Sequence, residues 1–118
     1  MAFNYFYGAQ ADLYGFVRIP KLLMTEKAFE QVSVDAKLLY GLLIDRMGMV
    51  QKNHWIDEEN RAYVLYPIRE IQEDMGVSKK KAIAALAELE GFGLVEKRVR
   101  GMGLPNLLYI KNVAAACK

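Results

Sequence analysis

The chain has 118 residues, 16 Lys and Arg against 14 Asp and Glu, a net charge of +2 and 53% hydrophobic residues. This length and composition fit one folded domain and exclude intrinsic disorder and a strongly polycationic or polyanionic protein. No apolar run is long enough to span a membrane, and the N-terminus lacks a signal-peptide pattern. We therefore expect a cytoplasmic protein that does not bind membranes.

Residues 1–30 form an N-terminal arm rich in aromatic side chains, with seven of the thirteen in the chain. Their spacing fits neither a regular strand nor a regular helix, which predicts an irregular or strand-like segment. Three interpretations remain open, because such rings can pack in a subunit interface, stack on unpaired bases or cover the domain's own helices. If the arm dimerises the domain, the candidate interface residues are Phe3, Tyr5, Phe6, Tyr7 and Tyr14.

The first strong helical signal begins at Ser33, a good N-cap residue followed by apolar residues at helical spacing. This pattern predicts a central helix that ends near Gly48. From residue 54 to residue 66, aromatic and β-branched residues flank a polar stretch at 57–60. We interpret these residues as a β-hairpin.

Two further helices follow, separated by a short turn. The first opens with Pro67 at its first helical position and closes at Gly76, and the second, at 79–90, has Ser78 as its N-cap. This spacing is typical of a helix-turn-helix.

Alternating residues at 94–99 and 107–110 enclose a turn-rich segment and predict a last hairpin. The predicted fold is α+β: a winged helix-turn-helix over residues 1–113, with an additional aromatic arm and β-hairpin. Residues 114–118 are interpreted as a tail or as the start of a linker to an absent C-terminal domain.

Positive charge collects in the last third of the chain. Residues 78–111 carry seven Lys and Arg against three Asp and Glu. Lys79, Lys80 and Lys81 occupy the first turn of a helix, where each cation opposes the macrodipole by about 0.3–1 kcal/mol. A bound polyanion would compensate, since free N–H groups and lysines would both point at phosphate. The alternative is a solvated charge run.

The N-terminal part of a recognition helix reaches base edges in the major groove. Ala84 would allow close approach there, although alanine is also simply the best helix former. We expect Ile83, Leu86 and Leu89 to face inward. The candidate DNA-binding residues on this helix are Ser78, Lys79, Lys80, Lys81 and Ala84.

Lys97, Arg98 and Arg100 lie on the predicted wing, where they would grip the DNA backbone. Alternation along the strand places Lys97 on one face and Arg98 and Arg100 on the other, so they cannot all contact one ligand. The alternative is an ordinary polar sheet edge whose charges discourage aggregation.

Enzyme motifs are missing from the sequence. His54 is the sole histidine, Cys117 is the sole cysteine, and no phosphate-binding glycine loop is present. The acidic run at 57–59 lacks the ligand spacing of an EF-hand. We therefore expect no catalytic activity, no metal and no cofactor.

Several motifs carry a family resemblance: YGFVRIPK at 14–21, SVDAKLLYGLLIDRM at 33–47, KNHWIDE at 52–58, residues 88–94, and GLPN at 103–106 with the strand that follows it. With these motifs the chain resembles the N-terminal domain of RepA-type (RepA_N) plasmid replication initiators of Gram-positive bacteria. The resemblance implies a homodimeric winged helix that binds repeated sites (iterons) in double-stranded plasmid origin DNA. It also implies an absent, DnaD-like C-terminal domain that recruits host replication proteins.

An alternative function remains open at this point. A winged helix can be a protein-interaction or transcriptional-regulator domain whose main role is dimerisation or partner docking. The aromatic arm would then carry the function, and the lysines would be solvated.

Overall fold

The computed structural model describes residues 2–116, and Met1, Cys117 and Lys118 lie outside the described residues. In chain order, the helices and strands are α1 (Leu22–Thr25), α2 (Val34–Arg46), α3 (Val50–Asn53), α4 (Ile68–Met75), α5 (Lys79–Gly91), β1 (Val95–Arg98), β2 (Leu107–Ile110) and α6 (Val113–Ala116). Short 3-10 turns occupy Gln10–Leu13, Lys27–Phe29 and Met47–Met49. The linker predicted at residues 114–118 stays a prediction.

Helix α2 begins where its cap predicts, because Ser33 Oγ accepts a hydrogen bond of 3.1 Å from the Ala36 N–H. It ends at Arg46, and the chain continues through a 3-10 turn into α3 instead of stopping near Gly48. Helix α3 was not predicted. It ends at Asn53, and its C-cap residue, His54, adopts the left-handed conformation with φ of 54°.

Helices α2, α4 and α5 pack around one apolar core. Helix α2 buries Leu39 and Leu43 completely, and α5 buries Leu89 completely. Burying a side chain of this size is worth about 1.5–3 kcal/mol. This packing fixes which face of α5 is turned away from the core.

The helix-turn-helix is confirmed, with α4 and α5 joined by a turn at Gly76. Gly76 adopts φ of 67°, a left-handed conformation that glycine accepts without steric cost, and its N–H bonds to the Gln72 carbonyl. Pro67 was predicted to be the first helical residue of α4, but it is the N-cap, and the helix begins at Ile68.

The sheet follows the helices, as in a winged helix. Strands β1 and β2 are antiparallel, with Val95 opposite Ile110 and Arg98 opposite Leu107. Val64 bridges β2 by two hydrogen bonds with Leu108, of 2.9 and 3.0 Å, and so supplies the short strand ahead of α4. The α+β winged-helix prediction is therefore confirmed.

The predicted hairpin at 54–66 is reduced to one antiparallel bridge between Ile56 and Ala62. Regular pairing does not extend further because α3 and the left-handed His54 come before the bridge, while Val64 pairs with β2 instead. The polar turn between the two bridged residues lies beside the sheet.

The N-terminal arm is irregular and lies away from the core. The rings of Phe3 and Tyr5 are each 85% exposed, and those of Phe6 and Tyr14 pack edge to face at 6.0 Å. The interpretation that the arm covers the domain's own helices is therefore wrong for these rings. No helix within residues 2–116 combines the length and apolar character needed to cross a membrane.

The end of the arm is anchored on α2 at Gly41. A Cβ atom at Gly41 would lie 2.8 Å from the Ile19 side chain and 3.1 Å from the Arg18 carbonyl oxygen. Glycine therefore lets residues 17–19 lie directly on the helix backbone, while the aromatic part of the arm before them extends into solvent.

Candidate nucleic-acid interface

The first turn of α5 carries three exposed lysines beside unpaired backbone N–H groups. Ser78 Oγ caps the helix by accepting a hydrogen bond of 3.2 Å from the Lys81 N–H. The N–H groups of Lys79 and Lys80 have no hydrogen-bond partner within residues 2–116, and none of the three lysine side chains forms an ion pair there. This turn offers both charge and oriented donors to an anion.

The outward face of α5 differs from the predicted one. The buried positions are Ala82, Ala85, Leu86 and Leu89, whereas Ile83 is 46% exposed. The prediction that Ile83 faces inward is wrong, because the two small alanines occupy the side of the helix that packs on the core. The solvent-facing positions between the start of this helix and Ala87 are therefore Lys79, Lys80, Lys81, Ile83, Ala84 and Ala87.

Lys97 lies on the same side of the sheet as α5. Its Nζ is 3.8 Å from a carboxylate oxygen of Glu90, near the end of that helix. An exposed pair of this kind contributes at most about 1 kcal/mol, so it leaves the lysine free to exchange partners. Lys97 therefore adds a cation beside the C-terminal end of α5, at the opposite end of the helix from the three lysines.

The tip of the wing, residues 101–103, has a left-handed backbone conformation. Gly101, Met102 and Gly103 all have positive φ values, between 54° and 76°. Arg100 lies at the base of this tip, where its Nε donates a hydrogen bond of 2.9 Å to the Pro105 carbonyl. Met102 is 98% exposed, so the tip projects an uncovered side chain into solvent.

Arg98 is turned to the opposite face of the sheet. Its guanidinium lies 3.9 Å from Glu58 and 5.2 Å from the centre of the Tyr109 ring. This follows the predicted alternation, since Arg98 and Lys97 are neighbours in one strand. Arg98 therefore lies outside the candidate interface, because it does not share a surface with the α5 lysines.

Asp57 joins the polar turn to that opposite face. Its carboxylate, 3% exposed, accepts hydrogen bonds from the Tyr109 hydroxyl at 2.9 Å and from Arg61 Nε at 3.0 Å. Desolvation would by itself raise the pKa of Asp57, but hydrogen bonds from the Arg61 backbone, Tyr109, the Arg61 side chain and the Glu59 backbone lower it to about 2. This network steadies β2, which carries one side of the wing.

We expect Asp57→Asn to remove part of the acid sensitivity of the fold. The pKa of Asp57 is lower in the folded state than in the unfolded chain, where it is about 3.9. Its stabilising contribution is therefore complete above about pH 4 and is lost as the pH falls towards 2. Urea midpoints measured across this range should fall less steeply for the variant than for the wild type.

Tyr109→Phe is the matched variant for that measurement, because it removes one hydrogen bond to the carboxylate and keeps the ring. Its pH slope should lie between those of the wild type and Asp57→Asn. Equal slopes for all three proteins would show that the network does not act as described.

Glu88 attaches α5 to α2. Its carboxylate accepts hydrogen bonds from the Ser33 N–H and from Ser33 Oγ, the latter at 2.8 Å. A carboxylate at the first turn of α2 also complements the positive end of that helix. Glu88 therefore fixes the orientation of α5 and does not belong to its outward face.

Comparison with known proteins places the chain among replication initiators. The family described as Replication initiator protein A (RepA) N-terminus matches residues 15–118. A relative from Lactobacillus helveticus, a 41 kDa protein, is 31% identical over 81 residues, which cover 69% of this chain. The match covers 23% of that relative, so this chain spans about a quarter of its length.

Solved structures with the same fold agree with this assignment. One is described as the N-terminal domain of a DNA-binding protein, with 30% identity, a TM-score of 0.76, and coverage of 92% of this chain and 84% of the other. A Rep–DNA complex gives 30% identity, a TM-score of 0.77 and the same coverage. The structure of an MDR initiator gives 28% identity, a TM-score of 0.74, and coverage of 92% and 86%.

The matched residues 15–118 begin near the end of the arm and include both helices of the helix-turn-helix and the wing. The likeness therefore includes the elements that carry the candidate interface. The chain belongs to the family of replication initiator protein A (RepA) N-terminal domains.

Proposed function

We propose that this domain binds specific repeated sequences (iterons) of duplex DNA in a plasmid replication origin, as the origin-recognition part of a replication initiator. Helix α5 would enter the major groove through Lys79, Lys80 and Ala84. Ser78 and the free N–H groups beside it would hold phosphate, with Lys81 at the groove edge. Lys97 and Arg100 would contact the DNA backbone from the wing.

The observation that carries this proposal is the unpaired lysine cluster in the first turn of α5. Three cations at the positive end of a helix are unfavourable unless an anion neutralises them. The Rep–DNA complex is a structural neighbour at 30% identity, which supports DNA as that anion.

Fluorescence anisotropy tests the proposal directly. Labelled duplexes that tile the gene for this protein and its flanks are titrated beside scrambled duplexes of equal composition. We expect at least one tile, hereafter the origin duplex, to bind on the order of 10³-fold more tightly than its scrambled form. Equal and weak binding to all duplexes would favour a protein-interaction winged helix instead.

The exposed aromatic rings of the arm support a further part of the proposal, which is that the domain forms a homodimer. The rings of Phe3, Tyr5, Phe6, Tyr7 and Tyr14 are between 61% and 85% exposed. Aromatic side chains left uncovered in this way are typical of interface cores, where burial is favourable. Two copies joined through their arms would place two winged helices on adjacent iterons.

The remaining parts of the proposal concern the whole initiator. We infer that the domain is a non-catalytic binding module of the cytoplasm. Host replication proteins would be recruited by a further domain of the whole initiator, and this chain spans about a quarter of the Lactobacillus helveticus relative.

A further inference from the structure

The middle of α5 presents an apolar surface where the proposed function would bring DNA. Ile83 is 46% exposed and is not among the apolar residues packed against the core. Ala84 and Ala87, its neighbours on the outward face, are also exposed. The side chains at this level of the helix therefore offer no hydrogen-bond donor or acceptor.

Ile83 lies on the side of α5 that faces the wing. Residues three, four and seven apart lie on one side of a helix, so Ile83 lines up with Lys79, Leu86 and Glu90. Glu90 approaches Lys97 of β1, and Leu86 shares a groove with Leu104 of the wing. Ile83 therefore lies on the same side of α5 as Lys79 and as the residues that approach the wing.

Ile83 can recognise one class of feature in the major groove. Of the base edges there, the thymine C5-methyl group alone is apolar, and the others present donors or acceptors. The small, exposed alanines beside Ile83 would allow the helix to approach closely, while the exposed lysines one turn earlier would neutralise phosphate. We propose that Ile83 is a specificity-determining residue that contacts a thymine methyl group in the bound DNA.

This inference rests on the proposed function, because it requires α5 to lie in the major groove. Burying one methyl-sized group is worth about fourfold in Kd. Each protomer is therefore expected to prefer thymine over uracil by about this factor at one base pair of its site.

Duplexes that lack thymine methyl groups test the inference without knowledge of the exact binding site. The origin duplex is prepared in two forms, one normal and one with every thymine replaced by deoxyuridine. The wild-type chain should bind the uracil form about fourfold more weakly per protomer, and Ile83→Ala should bind the two forms equally. Phe92→Ala is the control, since Phe92 is an exposed apolar residue at the C-cap of the same helix, and its replacement should leave the preference unchanged.

The possible results separate the two proposals. If the wild type binds both forms equally, or if Ile83→Ala keeps the preference for thymine, Ile83 does not read a methyl group and the inference is overturned. If no duplex exceeds its scrambled control, the proposed function itself fails and the inference fails with it. Loss of the preference in Ile83→Ala, with tight binding of the wild type to the normal duplex, supports both.

Discussion

Replacing Lys79 and Lys80 together by alanine should weaken binding to the origin duplex and lower the slope of log Kd against log salt concentration by about 1.8. Each lysine that neutralises a phosphate releases counterions and contributes about 0.9 to that slope. Both residues lie in the first turn of α5, where their side chains form no ion pair with residues 2–116. Anisotropy titrations at several salt concentrations measure the slope directly.

This loss cannot be attributed to unfolding, because the substitution removes two cations that oppose the dipole of α5. The folded state should gain about 0.3–1 kcal/mol for each charge removed. The melting temperature of the variant should therefore equal or exceed that of the wild type.

Lys21→Ala with Lys27→Ala removes the same charge ahead of α2 and is the matched control. It should leave most of the slope intact. If Lys79→Ala with Lys80→Ala leaves both affinity and slope unchanged, α5 is not the recognition helix.

Deleting residues 1–15 should convert a dimer into a monomer. The deletion removes five of the six exposed rings of the arm, leaving Phe16, and keeps Val17 and Ile19, which lie against α2 at Gly41, so the winged helix should remain folded. Sedimentation should show the mass per particle falling by about half. On a duplex with two adjacent iterons, affinity should fall on the order of 10²-fold, because binding of the second site is no longer intramolecular.

Two variants make this result specific. Replacing the five arm rings by serine keeps the chain length and should have the same effect as the deletion. The variant with Lys79→Ala and Lys80→Ala changes the proposed DNA contact and leaves the arm intact. It should therefore still sediment as a dimer. A dimer that survives the deletion, or an intact domain that is monomeric, would count against the arm as an interface.

The sequence patterns that predicted the fold correctly each depend on residues close together in the chain. Serine caps at Ser33 and Ser78, apolar residues at helical spacing and the glycine at Gly76 each predict structure from a few neighbouring residues, and the helix-turn-helix follows from them. The positive charge of α5 was also visible, because its lysines are consecutive.

The features that the sequence did not predict depend on distant contacts. Ile83 has the spacing of an inward residue, but packing against neighbouring elements placed Ala82 and Ala85 inside instead. The pairing of Arg98 with Glu58, 40 positions earlier, also could not be seen, because a strand pattern gives the face of a residue and not its partner. Periodicity gives the amphipathic character of a helix, whereas its rotation is set by the elements that pack on it.

The separation between the buried and outward sides of α5 has a consequence for how such a domain can change over time. Lys80, Ile83, Ala84 and Ala87 face solvent, so substitutions there leave the packed core intact. Under the proposed function, a lineage could therefore alter the DNA sequence it prefers by a few substitutions at these positions, with little loss of stability along the way. Under the same proposal, these four positions are the ones to vary in a library of variants selected for binding to a different origin sequence.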